Sequence, residues 1–409
     1  MRIPRLFALI SALLAACPAR AGEGLAVTVA NPLEIARPAE TIAVPWAEVA
    51  KAIPGALMYH LAVRDSSGRG LPYQVINVAP DARDPKRTGL GYGDLVFQHD
   101  FAQGETSATF TVERLAEVAP AFPARVFARF VPERLDDFAW ENDKIAHRTY
   151  GPALAAPDLA KTGKEVNTSS GIDVWCKRVS YLVVDRWYDE GHDFYHRDEG
   201  EGMDMYGVHA SRGCGGTGIW DGRSLAVSGN FQGWKVIANG PIRAIFELSY
   251  GAWAAGDLRV TETKRYTVDA GHNLDQVDTT FTVIGGTSAD LTVGIGLDKD
   301  SADEGQDPKV AFTADADRGT ISLWVLHRTD GALGTAVIIP KESFIGLAED
   351  SLNQIALARA VPGRPLRFYA GAGWSKAGEF ETKDAWDSYL AAWAARIRSP
   401  VRVSCGALP

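Results

Sequence analysis

The chain has 409 residues, 46% of them hydrophobic, 10% aromatic and 23% charged. That composition excludes a disordered, collagen-like or coiled-coil protein and leaves room for more than one packed unit. The net charge of −9 lacks the basic footprint of a nucleic-acid binder, although a local cluster of Arg and Lys can still hold an acidic ligand.

Residues 1–21 read as a secretory signal peptide. Arg2 and Arg5 precede an apolar run from Leu6 to Ala16, and Ala19-Arg20-Ala21 is a small-x-small cleavage site. The run is too short for a stable membrane anchor, and no later segment is apolar enough for a transmembrane span. Leu14-Ala15-Ala16-Cys17 also has the form of a bacterial lipobox, which would attach a lipid anchor at Cys17; Pro18 favours plain cleavage. Either route predicts a periplasmic or secreted protein. Cys176, Cys214 and Cys405 then remain, so at most one disulfide forms. The core, not a disulfide framework, must supply stability.

Residues 22–118 hold short runs of alternating polarity with Gly, Pro, Asp or Asn between them, the pattern of a small β-sandwich. Val118–Pro123 is a Pro-punctuated linker. From there, residues 119–409 carry more than ten strand-like runs, too many for one flat sheet, so two packed sheets are expected. One helix closes the chain: Trp386, Tyr389, Leu390, Trp393 and Ile397 recur at helical spacing, Thr382 can cap it and Pro400 stops it. The predicted class is all-β.

Three segments stand out chemically. If residues 139–150 form one strand, Trp140, Asn142, Lys144, Arg148 and Tyr150 share a face, and Glu141, Asp143 and His147 share the other. Neither face is apolar. Trp beside Asn and Arg suits a sugar, with a flat surface for the ring and donors for hydroxyls or a carboxylate; the competing reading is an exposed strand with cross-strand ion pairs. Residues 189–204 crowd seven acids around His192, Tyr195 and His196 with no clear period, which reads as a long functional loop or a solvated acidic one. Its oxygens make calcium a candidate, with Asp204 and Glu201 as ligands, ahead of zinc on His192 and His196. The glycine-rich run from Ser211 to Trp220 lets backbone approach a ligand, with Arg212 as a carboxylate clamp, or else forms a tight turn. Trp175 and Lys177 add a fourth mixed aromatic–charged strand. Esterase and zinc-protease signatures are absent.

The blocks FAWENDKIAHRTYGP, GIDVWCKRVSYLVVDRWY and YHRDEGEGMDMYGVHASRGCGGTGIW resemble an exported bacterial family designated domain of unknown function 4861. That resemblance implies a β-supersandwich similar to galactose mutarotase, behind an N-terminal β-sandwich, and an association with the use of pectin and other uronate-rich glycans. It implies no catalytic residues.

The leading expectation is therefore an exported carbohydrate-active enzyme cleaving uronate-containing glycans by β-elimination. Arg212, Arg148, Asn142 or a cation would neutralise the carboxylate, His192 or His196 would take the C5 proton, and Tyr195, Tyr188 or Tyr206 would protonate the leaving oxygen. Trp140, Trp175, Trp220 and Lys177 would bind sugar. Hydrolysis by paired carboxylates including Glu141 or Asp143, a non-catalytic sugar-binding protein, and mutarotase-like epimerisation are the alternatives.

Overall fold

The structure, a computed structural model, describes residues 24–76, 92–155, 169–285, 289–299 and 309–408. Residues 1–21, where a signal peptide is expected, and with them Cys17, lie outside the described residues. The all-β expectation holds: the described strands form five antiparallel sheets, with one long helix near the C-terminus.

Alternating apolar residues of Gly24–Ala30 (Leu25, Val27, Val29) enter the N-terminal core, as the period of two requires. Two sheets enclose that core. One is five-stranded and the other is formed by Arg37–Pro45, Asp94–Phe101 and Tyr73–Ile76. The outer strand of the five is Arg402–Ala407, which pairs with Gly24–Ala30, so the first and last described strands lie side by side.

Three sheets share the second, larger core. The widest has eight strands, including the long hairpin Arg243–Ala255 and Leu258–Asp269. A five-stranded sheet centred on Cys214–Trp220 and Leu291–Asp298 packs on one part of it. A second five-stranded sheet, here the middle sheet, runs in the order Gly202–Asp204, Asp173–Lys177, Ile145–Thr149, Asp137–Asn142, Val126–Val131. The C-terminal helix spans Lys383–Arg398; Thr382 Oγ1 accepts from the Ala385 N–H at 3.2 Å, and Trp386, Leu390 and Trp393 bury against the outer face of the eight-stranded sheet.

Two local expectations change. Residues 139–150 are not one strand but a hairpin. Asn142 Oδ1 accepts from the N–H groups of Lys144 and Ile145 at 2.8 and 3.0 Å, turning the chain over Asp143-Lys144. A two-residue turn pairs even positions with odd ones, so Trp140 lies opposite His147, and Arg148 opposite Ala139. Trp140 and Arg148 therefore point to opposite faces. The acidic run is also not one loop. It contains helices Val184–Glu190 and His192–Tyr195, separated by Gly191 at φ +92°, and the strand Gly202–Asp204. Burial of Trp187, Tyr188 and Tyr195 against Trp175 holds the helices on the middle sheet and overrides the weak local periodicity.

Candidate functional site

The hairpin sorts the middle sheet into two faces. Phe138, Trp140 and Ile145 enter the large core. Glu141, Arg148, Asp173, Trp175 and Lys177 lie on the other face, beneath the two short helices. Every one of these charged groups is buried, so each needs a partner. Arg148 donates from Nε to Asp173 at 2.6 Å and from Nη2 to Asp204 at 2.8 Å. The rings of Trp175, Tyr195 and Tyr150 surround its guanidinium at 5.3, 5.5 and 5.6 Å. Burial alone would lower the Arg148 pKa, but the two carboxylates hold it well above the usual arginine range. Asp137 sits nearby, 3.3 Å from Arg134; burial raises its pKa to about 6 against the pull of Arg134 and Arg148. Lys177 donates to Glu141 and to the Asn142 carbonyl, both at 2.6 Å. Glu141 in turn accepts from the N–H groups of Val183 and Val184, which fixes the start of helix Val184–Glu190.

This arrangement corrects the expected sugar platform. Trp140 stacks on His147 in the core and donates to Asp275 at 2.7 Å. Asn142 is used by the turn and by the carbonyls of Asp269 and His272. Trp175 has its ring against Tyr195 and its Nε1 on Asp204. Trp140, Glu141, Asn142, Arg148, Trp175 and Lys177 are buried and turned towards one another, leaving none of their faces open to a sugar.

The expected acid–base set does not converge either. His192 and His196 share one helical turn with rings 4.1 Å apart. His192 is 68% exposed. Both nitrogens of His196 turn inward, Nδ1 to the His192 carbonyl at 2.8 Å and Nε2 towards Asp204 at 3.4 Å; burial, then the charges of His192 and Arg148, lower its pKa. Tyr195, Tyr188 and Tyr206 are buried. Arg212 lies inside the large sandwich with its Nη groups on Ser170 Oγ and Ser169 Oγ, and burial lowers its pKa to about 10. Trp220 is half-buried at a strand end. Of the two acids considered for calcium, Asp204 is bound to Arg148, and Glu201 to Arg186 at 2.6 Å and Trp187 at 3.1 Å. Among the described residues no three His, Cys, Asp or Glu side chains group as a cation site. Cys176, Cys214 and Cys405 are all unbridged.

An open site lies at the edge of this network. A cleft of about 510 Å³ is bounded by the hairpin turn, by the end of strand Asp173–Lys177 and by the connection from Trp374 to the C-terminal helix. Arg178 lies over the Trp374 ring at 5.0 Å and pairs with Asp198. Lys144 reaches Glu379 at 2.8 Å from the opposite wall. Asn273 also lines the cleft, with its side chain buried and Nδ2 donating to the Ala372 carbonyl at 2.9 Å. Asp143 completes the wall. Lys144 and Asp143 fall in the segment that the sequence marked, and Arg178 directly follows Lys177. Asn273, Trp374 and Glu379 carry no motif; only the tertiary fold brings them to the turn.

The sequence profile of the family described as domain of unknown function 4861 matches residues 29–403. The chain belongs to this family. A second protein, "Uncharacterized protein P7" of Formosa agariphila, is 31% identical over 97% of this chain and 98% of its own length. Among solved structures, the DUF4861 chain is similar to an alpha-mannosidase from Enterococcus faecalis V583, with a TM-score of 0.48 and 10% identity over 94% of the chain. It is also similar to a protein of glycosyl hydrolase family 38 from the same species, with a TM-score of 0.47 and 10% identity. The chain spans about half of those two structures, 46% and 48% of their lengths.

Proposed function

We propose that this DUF4861 protein is an exported, carbohydrate-active enzyme that acts on uronate-containing glycans, with β-elimination as its reaction. The observation that carries the reading is the sign of the cleft: in a chain of net charge −9, Lys144 and Arg178 present cationic heads to one concavity. Two cations on one cleft suit a sugar ring bearing a carboxylate. Each cation already holds a carboxylate at the rim, Arg178 with Asp198 and Lys144 with Glu379. An incoming uronate would take the place of one of them.

In the elimination the C5 proton leaves to a base, the C4–O bond breaks, a C4–C5 double bond forms and the departing oxygen gains a proton. Neutralising the carboxylate makes the C5 proton acidic, a role that falls to Arg178. Lys144 and Glu379, 2.8 Å apart, are the pair within the cleft that can exchange protons with bound sugar. Hydrolysis is the second reading, because Asp143 and Glu379 place two carboxylates on the same cleft.

The test is absorbance near 235 nm with purified protein and a panel of uronate-rich glycans. Rising absorbance that Arg178→Gln abolishes supports elimination. Flat absorbance with new reducing ends replaces it with hydrolysis by the carboxylate pair. Silence in both, with glycan bound, reduces the protein to a binding role.

A further inference from the structure

A small cavity inside the large core has a volume of about 10 Å³, the size of a single water molecule. Trp140, His147, Cys214 and Asp275 are among the residues that line it. Its polar groups are out of balance. Burial lowers the His147 pKa to about 4, so the ring is neutral at physiological pH and carries one proton. Nδ1 lies 3.1 Å from the Asp173 carbonyl, which can only accept, so the proton sits on Nδ1 and Nε2 is left as an acceptor. On the other side, Asp275 Oδ2 accepts from Trp140 Nε1 at 2.7 Å. His147 Nε2 and Asp275 Oδ1 are both sealed from solvent, and neither has a hydrogen-bond partner among the described residues. His147 Nε2 and Asp275 Oδ2 are 3.9 Å apart, too far for a direct bond and close enough for one water to reach both side chains.

We infer that this cavity is a binding site for one structural water, which bridges His147 Nε2 and the Asp275 carboxyl group and so joins two sheets through the core. His147 belongs to strand Ile145–Thr149 of the middle sheet, and Asp275 to strand Leu274–Val283 of the eight-stranded sheet. Size, chemistry and spacing agree. Buried nitrogen and oxygen atoms are almost always bonded, and here two acceptors face one cavity and need donors. A water brings two O–H groups and one oxygen. It can donate to His147 Nε2 and to a carboxylate, or donate to His147 while accepting from a protonated Asp275, so the bridge serves either state of the acid. A hard cation fits less well: it takes six or more oxygen ligands, and among the described residues no three His, Cys, Asp or Glu side chains group around this point. Trp140 completes the link, since its ring stacks on His147 and its Nε1 bonds Asp275. The hairpin whose turn borders the first cleft is thereby pinned to the eight-stranded sheet.

The experiment is a high-resolution crystal structure of the purified full-length protein, paired with magnetic relaxation dispersion of water oxygen in solution, which counts waters held inside a protein for longer than it tumbles. A density peak about 3 Å from both His147 Nε2 and the Asp275 carboxyl group is expected in the crystal. In solution, His147→Phe is expected to hold one long-lived water fewer than the wild type, because phenylalanine keeps a ring against Trp140 and removes the acceptor. A cavity without a peak, or His147 and Asp275 in direct contact, overturns the inference. An unchanged count of long-lived waters in folded His147→Phe overturns it too. Should that variant not fold, the wild-type crystal structure decides by its own two outcomes.

Discussion

Replacing Arg148 with Met tests whether the buried network on the middle sheet is held by that one cation. The side chain is 4% exposed and bridges Asp173 at 2.6 Å and Asp204 at 2.8 Å, with Asp137 in the same field. Methionine fills much of the volume but leaves two buried carboxylates without their counter-charge. Losing one partner of such a pair costs about 3–5 kcal/mol. The stranded acids can escape by taking up protons, which raises their pKa in the folded state only. The folded variant then binds more protons than the unfolded chain, so its stability falls as pH rises above the ordinary carboxylate range. Urea unfolding followed by tryptophan fluorescence is the assay, since Trp175 lies 5.3 Å from the guanidinium. The expected loss is about 3–5 kcal/mol at pH 7.5 and clearly less at pH 5. A loss below about 1 kcal/mol at pH 7.5, the size of an exposed ion pair, or an equal loss at both pH values refutes the reasoning.

Asp275 is buried with its pKa raised to about 7, whereas burial lowers those of His147 and His272 to about 4. The Asp275 contribution is complete below about pH 4 and is lost as pH rises towards 7; the two histidines contribute in the opposite sense between about pH 4 and 6.5. Asp275→Asn removes the first slope while keeping an acceptor for Trp140. Its melting temperature relative to wild type should climb from pH 4.5 to 7.5, and a constant offset would contradict the assignment. At Gly202, φ is +132° and an added Cβ would lie 2.0 Å from the Cys176 carbonyl oxygen. Gly202→Ala should therefore cost about 3 kcal/mol in the same urea assay. In native protein a thiol reagent should modify Cys405, which is partly exposed, and reach Cys176 and Cys214 only after unfolding, since both are buried and burial raises the Cys214 pKa to about 12.

Much of the architecture was legible before any tertiary information. Alternation in runs such as Gly24–Ala30 marks strands because a pleated sheet exposes side chains with a period of two, and the aromatic stripe from Trp386 to Ile397 marks the closing helix by its period near four. The matching blocks likewise pointed to the family. Local pattern also singled out Arg148, Asp204 and the hairpin around Asp143 as chemically unusual. It could not say that they are unusual for different reasons. A polar residue in a strand looks the same whether it faces a ligand or a buried counter-charge, and the two-residue turn at Asp143-Lys144 decides which, by exchanging the parity of everything after it. Arg148 is thereby sealed under Trp175 and Tyr195, and Lys144 is left at the mouth of a cleft. Trp374 and Glu379 join that cleft from more than two hundred positions away along the chain. Strand alternation and the ends of the closing helix depend on neighbours in sequence, so the sequence by itself determined those; the two short helices of the acidic segment, burial, charge pairing and the shape of a cleft depend on neighbours in space, and only the packed sheets decided them.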